Sequence, residues 1–272
     1  MLELRLKPDI LWRETCAAFV EAQDFTPEDV ILTRSSIHAA FLERFAPAAR
    51  VILQNTYGAG EPTDTIVDAI LRDFHAAPCR RIFAIGGGTV IDIAKVLAVS
   101  DGRMDVDAMY ADMGALRRRH DLIIAPTTCG TGSEVTNLAI LHRTRLGTKM
   151  GLVSDGMYAS RAVLVPELLS RLPYHVFATS SLDALVHAVE SALSGKATPT
   201  TLLFSMRALE MIVAGYVRIR AAGPEARQPL MGDFLLASTY AGIAFGTAGC
   251  AAVHALSYPL GGVFHVPHGE AN

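Results

Sequence analysis

Asp183 and His187 stand four residues apart in a segment whose apolar spacing predicts a helix. Residues at i and i+4 lie on the same face of a helix, so this carboxylate and this imidazole can reach one ion. Taken alone, the pair is more typical of a capped helix with a histidine in its core. A metal site therefore needs further ligands from elsewhere in the chain.

Three histidines lie in a stretch that contains no lysine, arginine, aspartate or glutamate, between Asp233 and Glu270. Burying several imidazoles without nearby carboxylates costs free energy unless something else uses their lone pairs, and a metal ion would do so. We predict an N₃O ligand set, which suits Fe²⁺ or Zn²⁺ better than Ca²⁺ or Mg²⁺. Its members are Asp183, His187, His254 and His268.

A glycine-rich loop follows an aliphatic run in the segment Ile85–Lys95, which reads IGGGTVIDIAK. Glycines allow a phosphate to approach backbone N–H groups closely, and the start of a helix carries partial positive charge. The loop is predicted to bind an anion, although a purely structural strand-to-helix turn has the same pattern. Its spacing matches neither GxGxxG nor a Walker loop.

A second loop, Pro126–Thr136, also follows an aliphatic run and is rich in small hydroxyl side chains. Such donors suit a ribose and a diphosphate, while the alternative is a Ser/Thr-rich turn that caps a helix. Two such loops at the carboxyl ends of neighbouring strands favour ligand binding, because ligands of open α/β sheets collect there. The hydroxyls belong to Thr127, Thr128, Thr131 and Ser133.

Short runs rich in valine and isoleucine alternate with helical segments in the first part of the chain. The predicted strands are 30–33, 51–54, 82–85, 122–125 and 162–165, and the predicted crossover helices are 36–45, 63–76 and 89–99. This alternation predicts a doubly wound parallel sheet. After Pro173 only helical spacing remains, at about 180–194, 200–220 and 230–247. We predict an α/β domain over 1–172 and a helical domain over 173–272.

Composition excludes several other classes of protein. The 272 residues are 51% hydrophobic and 19% charged, which indicates a folded chain, and the net charge of −3 offers no basic surface for nucleic acid. Four widely separated cysteines indicate reduced thiols in the cytoplasm, and charges near the N-terminus argue against a secretory signal. The charge-free stretch is too rich in small and polar residues for a membrane span.

Four ordered motifs resemble the iron-containing (group III) alcohol dehydrogenases. They are Gly86-Gly-Gly-Thr-x-x-Asp92-x-Ala-Lys95, Pro126-Thr-Thr-x-Gly-Thr-Gly-Ser-Glu134, Asp183-x-x-x-His187, and His254-x-x-x-x-Pro-Leu-Gly followed by Pro-His-Gly-x-x-Asn272. Within that family, segments such as 60–62, 172–174 and 240–246 are most similar to members that act on 4-hydroxybutyrate.

The resemblance implies a dinucleotide-binding domain followed by a helical metal and substrate domain of the dehydroquinate synthase-like type. It implies a divalent ion, usually iron, on Asp183, His187, His254 and His268. It also implies a nicotinamide cofactor whose diphosphate lies on Gly86, Gly87, Gly88 and Thr89. Further positions that match cofactor contacts are Thr127, Thr128, Thr131, Ser133 and Lys149.

Three departures from the family pattern qualify these expectations. Family chains continue for roughly a third more length beyond the last ligand, so the helical domain is expected to be incomplete at its C-terminus. Tyr258 stands where many members have a second histidine, which affects any proton relay. Arg34 stands where many members have an acidic residue near the adenosine ribose, which leaves both NAD and NADP open.

The implied reaction is hydride transfer between the nicotinamide and a primary alcohol or aldehyde, with 4-hydroxybutyrate and succinate semialdehyde as the expected pair. Tyr258 and His265 are the predicted catalytic residues. They would either take part in proton release or donate hydrogen bonds, as neutral groups, to the substrate carboxylate. The partners are expected to be small molecules and other copies of the chain. Alternatives are a general primary-alcohol dehydrogenase, a metal-dependent cyclase or polyol-phosphate dehydrogenase, and a non-catalytic remnant that binds nucleotide or metal.

Overall fold

The computed structural model describes residues 2–257, 266 and 268–272. The chain divides into two compact units. The first, here called the sheet unit, comprises Lys7–Pro126 and Asn137–Leu168. The second, here called the helical unit, comprises Met1–Leu6, Thr127–Thr136 and Leu169–Asn272. The division into domains 1–172 and 173–272 stays a prediction.

A six-stranded parallel sheet forms the centre of the sheet unit, with the strand order β1-β8-β5-β4-β2-β3. Aliphatic runs form its central strands because both faces of a doubly wound sheet are covered. The parallel α/β fold predicted from the sequence is confirmed. The strands are β1 (Asp9–Trp12), β2 (Asp29–Thr33), β3 (Arg50–Leu53), β4 (Arg81–Gly86), β5 (Asp121–Pro126) and β8 (Arg161–Leu164).

The helices of the sheet unit pack apolar faces against these strands. Thr63 caps α3 by accepting a hydrogen bond from the backbone N–H of Ile66, and one face of this helix is buried. The predicted helix 36–45 is instead a succession of short turns of different pitch, Ser35–Ile37, His38–Leu42 and Glu43–Phe45. The helices are α1 (Cys16–Glu21), α2 (Ser35–Ile37), α3 (Asp64–Phe74), α4 (Gly88–Val99) and α5 (Val106–Ala111).

An antiparallel hairpin of β6 (Leu138–Arg143) and β7 (Thr148–Val153) was not predicted. Two residues of the first glycine motif anchor it to α4. The ammonium of Lys95, which is fully buried, donates to the carbonyl of Leu138 at 2.7 Å, and Asp92 accepts from the N–H of Ile140 at 2.9 Å. These two motif residues therefore hold the hairpin in place.

The helical unit contains no strand among its described residues. Its longest helix begins with a capping box between Thr198 and Thr201 and ends at Gly223, which has a positive φ of 91°. The helices are α6 (Tyr174–Leu193), α7 (Pro199–Ala222), α8 (Met231–Ala248), α9 (252–257) and α10 (His268–Ala271). Within the described part of the chain, no helix combines the length and the apolar character that a membrane crossing needs.

Two glycines allow the loop Thr127–Thr136 to lie directly on α8. Gly132 has φ 56°, and a Cβ on Gly242 would lie 2.6 Å from the Gly132 carbonyl oxygen and 2.8 Å from its Cα. We expect Gly242→Ala to lower the free energy of unfolding by about 1–3 kcal/mol, the usual cost of overpacking. Urea denaturation measures this loss.

Gly246→Ala is the matched control, because a Cβ there meets its nearest atom at 3.5 Å. This variant should be neutral or gain up to about 1 kcal/mol from helix propensity. Equal unfolding midpoints for the two variants would contradict the close approach of loop and helix.

Candidate metal centre

Four side chains from three helices of the helical unit form a cluster of possible metal ligands. Asp183 and His187 come from α6, His254 from α9 and His268 from α10. One ligand atom from each lies within 4.8 Å of the others. The first three residues are buried, with exposed fractions of 2%, 5% and 7%, and His268 is half-buried. Helical spacing on α6 explains why its carboxylate and imidazole share one face.

The Asp183 carboxylate lies close to a ring nitrogen of each of the three histidines. The Asp183 Oδ1 atom lies 3.8 Å from His254 Nε2 and 3.7 Å from His268 Nε2, and Asp183 Oδ2 lies 3.9 Å from His187 Nδ1. The amide nitrogen of Asn272 lies among three of these ligand atoms, at 2.7 Å from Asp183 Oδ1 and 3.2 Å from Nε2 of His254 and of His268. An amide nitrogen has only two protons, so it cannot donate to all three acceptors at once.

The pKa values of Asp183 and His187 favour the charge states that metal ligands require. Burial lowers the pKa of His187 to about 4 and outweighs the opposite effect of Asp183, so its ring is neutral near pH 7. Burial would raise the pKa of Asp183, but the rings of His187 and His268 and the Asn272 amide hold it below its ordinary value. A neutral His187 imidazole and an ionised Asp183 carboxylate have lone pairs available for a cation.

Glu190 orients one of the histidines. Its Oε2 atom accepts a hydrogen bond from His254 Nδ1 at 2.5 Å, and its Oε1 atom accepts one from the backbone N–H of Val253 at 2.6 Å. Burial would raise the pKa of Glu190, but these hydrogen bonds keep it below its ordinary value. The His254 proton therefore lies on Nδ1, and Nε2 presents its lone pair to Asp183, as in carboxylate–histidine–metal arrangements.

Ring stacking restricts the orientation of His187. Its ring lies between those of Phe245 and His254, with centroids 4.4 Å away on each side and interplanar angles of 16° and 26°. A stack of two imidazoles requires that they are not both charged, which agrees with the low pKa of His187. Packing therefore positions this ring before any ion binds.

The donor set fits a divalent transition metal. Three imidazoles and one carboxylate are the ligand types that Fe²⁺ and Zn²⁺ accept. The buried Nδ1 atom of His187 has no hydrogen-bond partner among the described residues, which is unusual for a buried polar atom. Coordination of a cation would satisfy it.

The glycine loop of the sheet unit lies at the end of β4 and the start of α4. Gly86 must be glycine, because a Cβ there would lie 2.5 Å from the Cβ of Val90. The neighbouring strand β2 ends at Thr33, whose hydroxyl donates to the carbonyl of Ile85 at 2.7 Å, and the exposed Arg34 follows. Since the strand order changes direction between β2 and β4, these residues flank the switch point at which ligands of such sheets bind.

The other residues predicted to contact the cofactor lie in two places. Thr127 and Ser133 are buried and Thr128 and Thr131 are half-buried, all in the loop that belongs to the helical unit. Lys149 lies on β7 of the sheet unit, where its buried ammonium pairs with Glu61 at 2.6 Å. The predicted catalytic residues Tyr258 and His265 lie outside the described residues.

Sequence reasoning missed Glu190, although the pattern contains a signal. Glu190 follows His187 by three residues and Asp183 by seven, so all three share one face of α6. A second carboxylate on the ligand face of a helix is a natural partner for the distal nitrogen of a coordinating histidine. The spacing of the charged residues on α6 could therefore have identified it.

Comparison with solved structures shows the class of fold. Sulfoacetaldehyde reductase from Bifidobacterium kashiwanohense, solved in complex with NAD⁺, matches with a TM-score of 0.86 and 28% identity, over 100% of this chain and 74% of that chain. An iron-containing alcohol dehydrogenase from Thermotoga maritima matches with a TM-score of 0.85 and 24% identity, over 100% and 76%. The architecture is that of the iron-containing alcohol dehydrogenase fold.

Sequence comparison shows the family. Residues 20–166 match the family described as iron-containing alcohol dehydrogenase, and residues 177–272 match its C-terminal part. The 4-hydroxybutyrate dehydrogenase of Clostridium kluyveri is 46% identical over 271 residues, 99% of this chain and 72% of that protein. The chain therefore belongs to the iron-containing alcohol dehydrogenase family, which confirms the resemblance seen in its motifs.

More distant relatives match over a smaller share of their length. Long-chain-alcohol dehydrogenase 1 of Geobacillus thermodenitrificans is 39% identical over 198 residues, 70% of this chain and 48% of that protein. The chain thus spans about half of that relative and nearly three quarters of the Clostridium protein.

Proposed function

We propose that this protein is a metal-dependent oxidoreductase that transfers hydride between a nicotinamide cofactor and a primary alcohol or aldehyde. The observation that carries the proposal is the buried cluster of Asp183, His187, His254 and His268 in a chain of this family. These four residues would hold the ion, which we infer to be Fe²⁺, with Zn²⁺ as the alternative. Metal content and turnover of variants at these four positions test it: loss of both in His187→Ala and His268→Ala would support the proposal.

The residues of the helical unit would each make a different contribution. A divalent ion bound there supplies a Lewis acid that lowers the pKa of an alcohol and polarises an aldehyde. Asp183 offers the negative charge that partly neutralises the ion, and the three imidazoles leave the centre with a net positive charge. Glu190 holds His254 in the tautomer that presents Nε2, and Phe245 restricts the plane of the His187 ring.

The glycine loop of the sheet unit would bind the cofactor diphosphate. The start of α4, with Gly87 as its N-cap, offers backbone N–H groups that would bind the phosphates, and glycines at 86–88 would allow their close approach. The NAD⁺ complex of the Bifidobacterium reductase, which is 28% identical, supports a nicotinamide dinucleotide. The hydroxyl-rich loop 127–133 and Lys149 remain predicted cofactor contacts.

Arg34 is expected to relax discrimination against NADP. A guanidinium can pair with the 2′-phosphate of NADP, whereas an acidic residue there would repel it and bind the 2′-hydroxyl of NAD. Arg34→Asp should therefore raise the ratio of kcat/KM for NAD to that for NADP by about tenfold or more, equivalent to about 1.4 kcal/mol. If the ratio stays unchanged, Arg34 does not contact the cofactor.

We infer that the substrate pair is 4-hydroxybutyrate and succinate semialdehyde. The 46% identity to the Clostridium enzyme supports this choice, while the 39% identity to a long-chain-alcohol dehydrogenase supports general primary alcohols as the alternative. A higher kcat/KM for 4-hydroxybutyrate than for 1-butanol, which has the same chain without the carboxylate, would favour the first.

Tyr258 and His265 are the proposed donors to the substrate carboxylate, since no lysine or arginine occurs between 234 and 272. Tyr258→Phe and His265→Ala should raise KM for 4-hydroxybutyrate by about tenfold and change kcat less, because they remove binding that ground state and transition state share. Equal losses with 1-butanol would show that these residues serve the chemistry or the fold.

A cytoplasmic location and a homo-oligomeric state remain predictions.

A further inference from the structure

A second group of possible metal ligands lies beside the first in the helical unit. Cys250, Glu190 and His254 each place one ligand atom within 4.8 Å of the others. Cys250 is an exposed free thiol, while Glu190 and His254 are buried. Gly249, with φ 76°, ends α8 and turns the chain so that Cys250 reaches the end of α6. Sequence spacing gave no indication of this cluster, because its members are up to 64 residues apart.

The three donors differ in kind from those of the first cluster. A thiolate, an imidazole and a carboxylate together form a softer set, which favours Zn²⁺ and its thiophilic analogue Cd²⁺ over Fe²⁺. Three protein ligands leave a fourth tetrahedral position for a water molecule. We propose that Cys250, Glu190 and His254 form a second site, which binds Zn²⁺ and disables the first by capturing His254.

A metal ion at the second site captures His254 because the ring has two nitrogens, and only the one without a proton can bind an ion. In the structure His254 donates its Nδ1 proton to Glu190 and directs Nε2 towards Asp183. A Zn²⁺ ion on Nδ1 displaces that proton, which moves to Nε2, while the thiol proton of Cys250 passes to solvent. A protonated Nε2 has no lone pair for an ion beside Asp183. The two sites therefore compete for the same residue.

Cd²⁺ is the probe for the thiol, because cadmium bound to thiolate gives an ultraviolet charge-transfer band that nitrogen and oxygen ligands do not. Titration of the purified 272-residue chain should produce this band, saturating at one thiolate-bound ion per chain. Cys250→Ser should lose the band and retain its Fe²⁺ content, since Cys250 is exposed and outside the first cluster. Cys79→Ser, which changes a half-buried thiol of the sheet unit, is the matched control and should keep the band.

Competition is tested by the same titration in the presence of saturating Fe²⁺. If the sites share His254, the Cd²⁺ concentration at half-maximal band should rise in proportion to the ratio of the Fe²⁺ concentration to its Kd, by about 100-fold when Fe²⁺ is at about 100 times its Kd. Cd²⁺ should in turn raise the Fe²⁺ concentration needed for half-occupancy of the first site. Retained iron without any shift in the Cd²⁺ midpoint would overturn the shared ligand.

The thiolate band is independent of dehydrogenase activity, although the competition rests on the proposed first site. A chain that retains no iron but shows the band contradicts the proposed function and supports the second site. A parent chain without the band, or a band that persists in Cys250→Ser, overturns the second site whatever the enzyme's activity.

Discussion

Replacing His187 or His268 by alanine is expected to abolish metal retention and to lower kcat/KM by about a thousandfold or more. Each variant removes one of four ligands, and a Lewis acid contributes several kcal/mol of transition-state stabilisation, of which each 1.4 kcal/mol or so is a factor of ten. Metal content after dialysis and steady-state kinetics measure the two effects. Nucleotide binding should persist, because the glycine loop belongs to the sheet unit.

His142→Ala is the matched control for these variants. His142 lies on β6 of the sheet unit and is not a member of either metal cluster. It should retain metal and turnover at the level of the parent chain. Full activity in a His268→Ala protein without metal would contradict the four-ligand assignment.

Glu190→Ala is expected to weaken Fe²⁺ binding by about 10- to 100-fold, the usual effect of removing a carboxylate that orients a ligand histidine. Without the acceptor at Oε2, His254 loses the hydrogen bond that holds its proton on Nδ1. Glu190→Gln keeps a carbonyl acceptor and should recover part of the affinity. Titration of Fe²⁺ against a competing chelator measures the difference.

Glu210→Gln, on the exposed face of α7, is the control for loss of a negative charge. Its carboxylate pairs with Arg207 at the surface, and both side chains are more than 60% exposed. We expect no change in Fe²⁺ affinity. If Glu190→Ala and Glu190→Gln lose affinity equally, the role of Glu190 is its charge rather than the orientation of His254.

The central strands of the sheet could be predicted because their sequences show the pattern of buried parallel strands. Runs such as Ile82–Ile85 and Leu122–Ala125 are aliphatic without interruption, which is typical of strands covered on both faces, and the structure places them in β4 and β5. The hairpin β6–β7 is only partly buried and contains arginine, lysine and histidine, so its pattern is weak. Its position depends on Lys95 and Asp92, which bind its backbone from α4.

The candidate metal ligands could be predicted because they occur in motifs with characteristic spacing. Asp183 and His187 share a helix face, while His254 and His268 occur where carboxylates are absent. Glu190 was missed although its spacing on the ligand face of α6 was a signal, because its partner His254 is fixed only by the tertiary contact between α9 and α6. The roles of Asp92 and Lys95 were likewise visible only in the structure, since a sequence motif does not distinguish a ligand from a residue that supports the loop.

X-ray absorption at the iron edge of the Fe²⁺-loaded chain tests the four-ligand metal centre most directly. We expect one bound iron per chain with three imidazole nitrogens and one carboxylate oxygen at about 2.1 Å, and no sulfur ligand. His268→Ala should reduce the imidazole count or lose the iron. A spectrum with sulfur in the coordination shell, or with fewer than three imidazoles in the parent chain, would contradict the assignment of Asp183, His187, His254 and His268 as the metal centre.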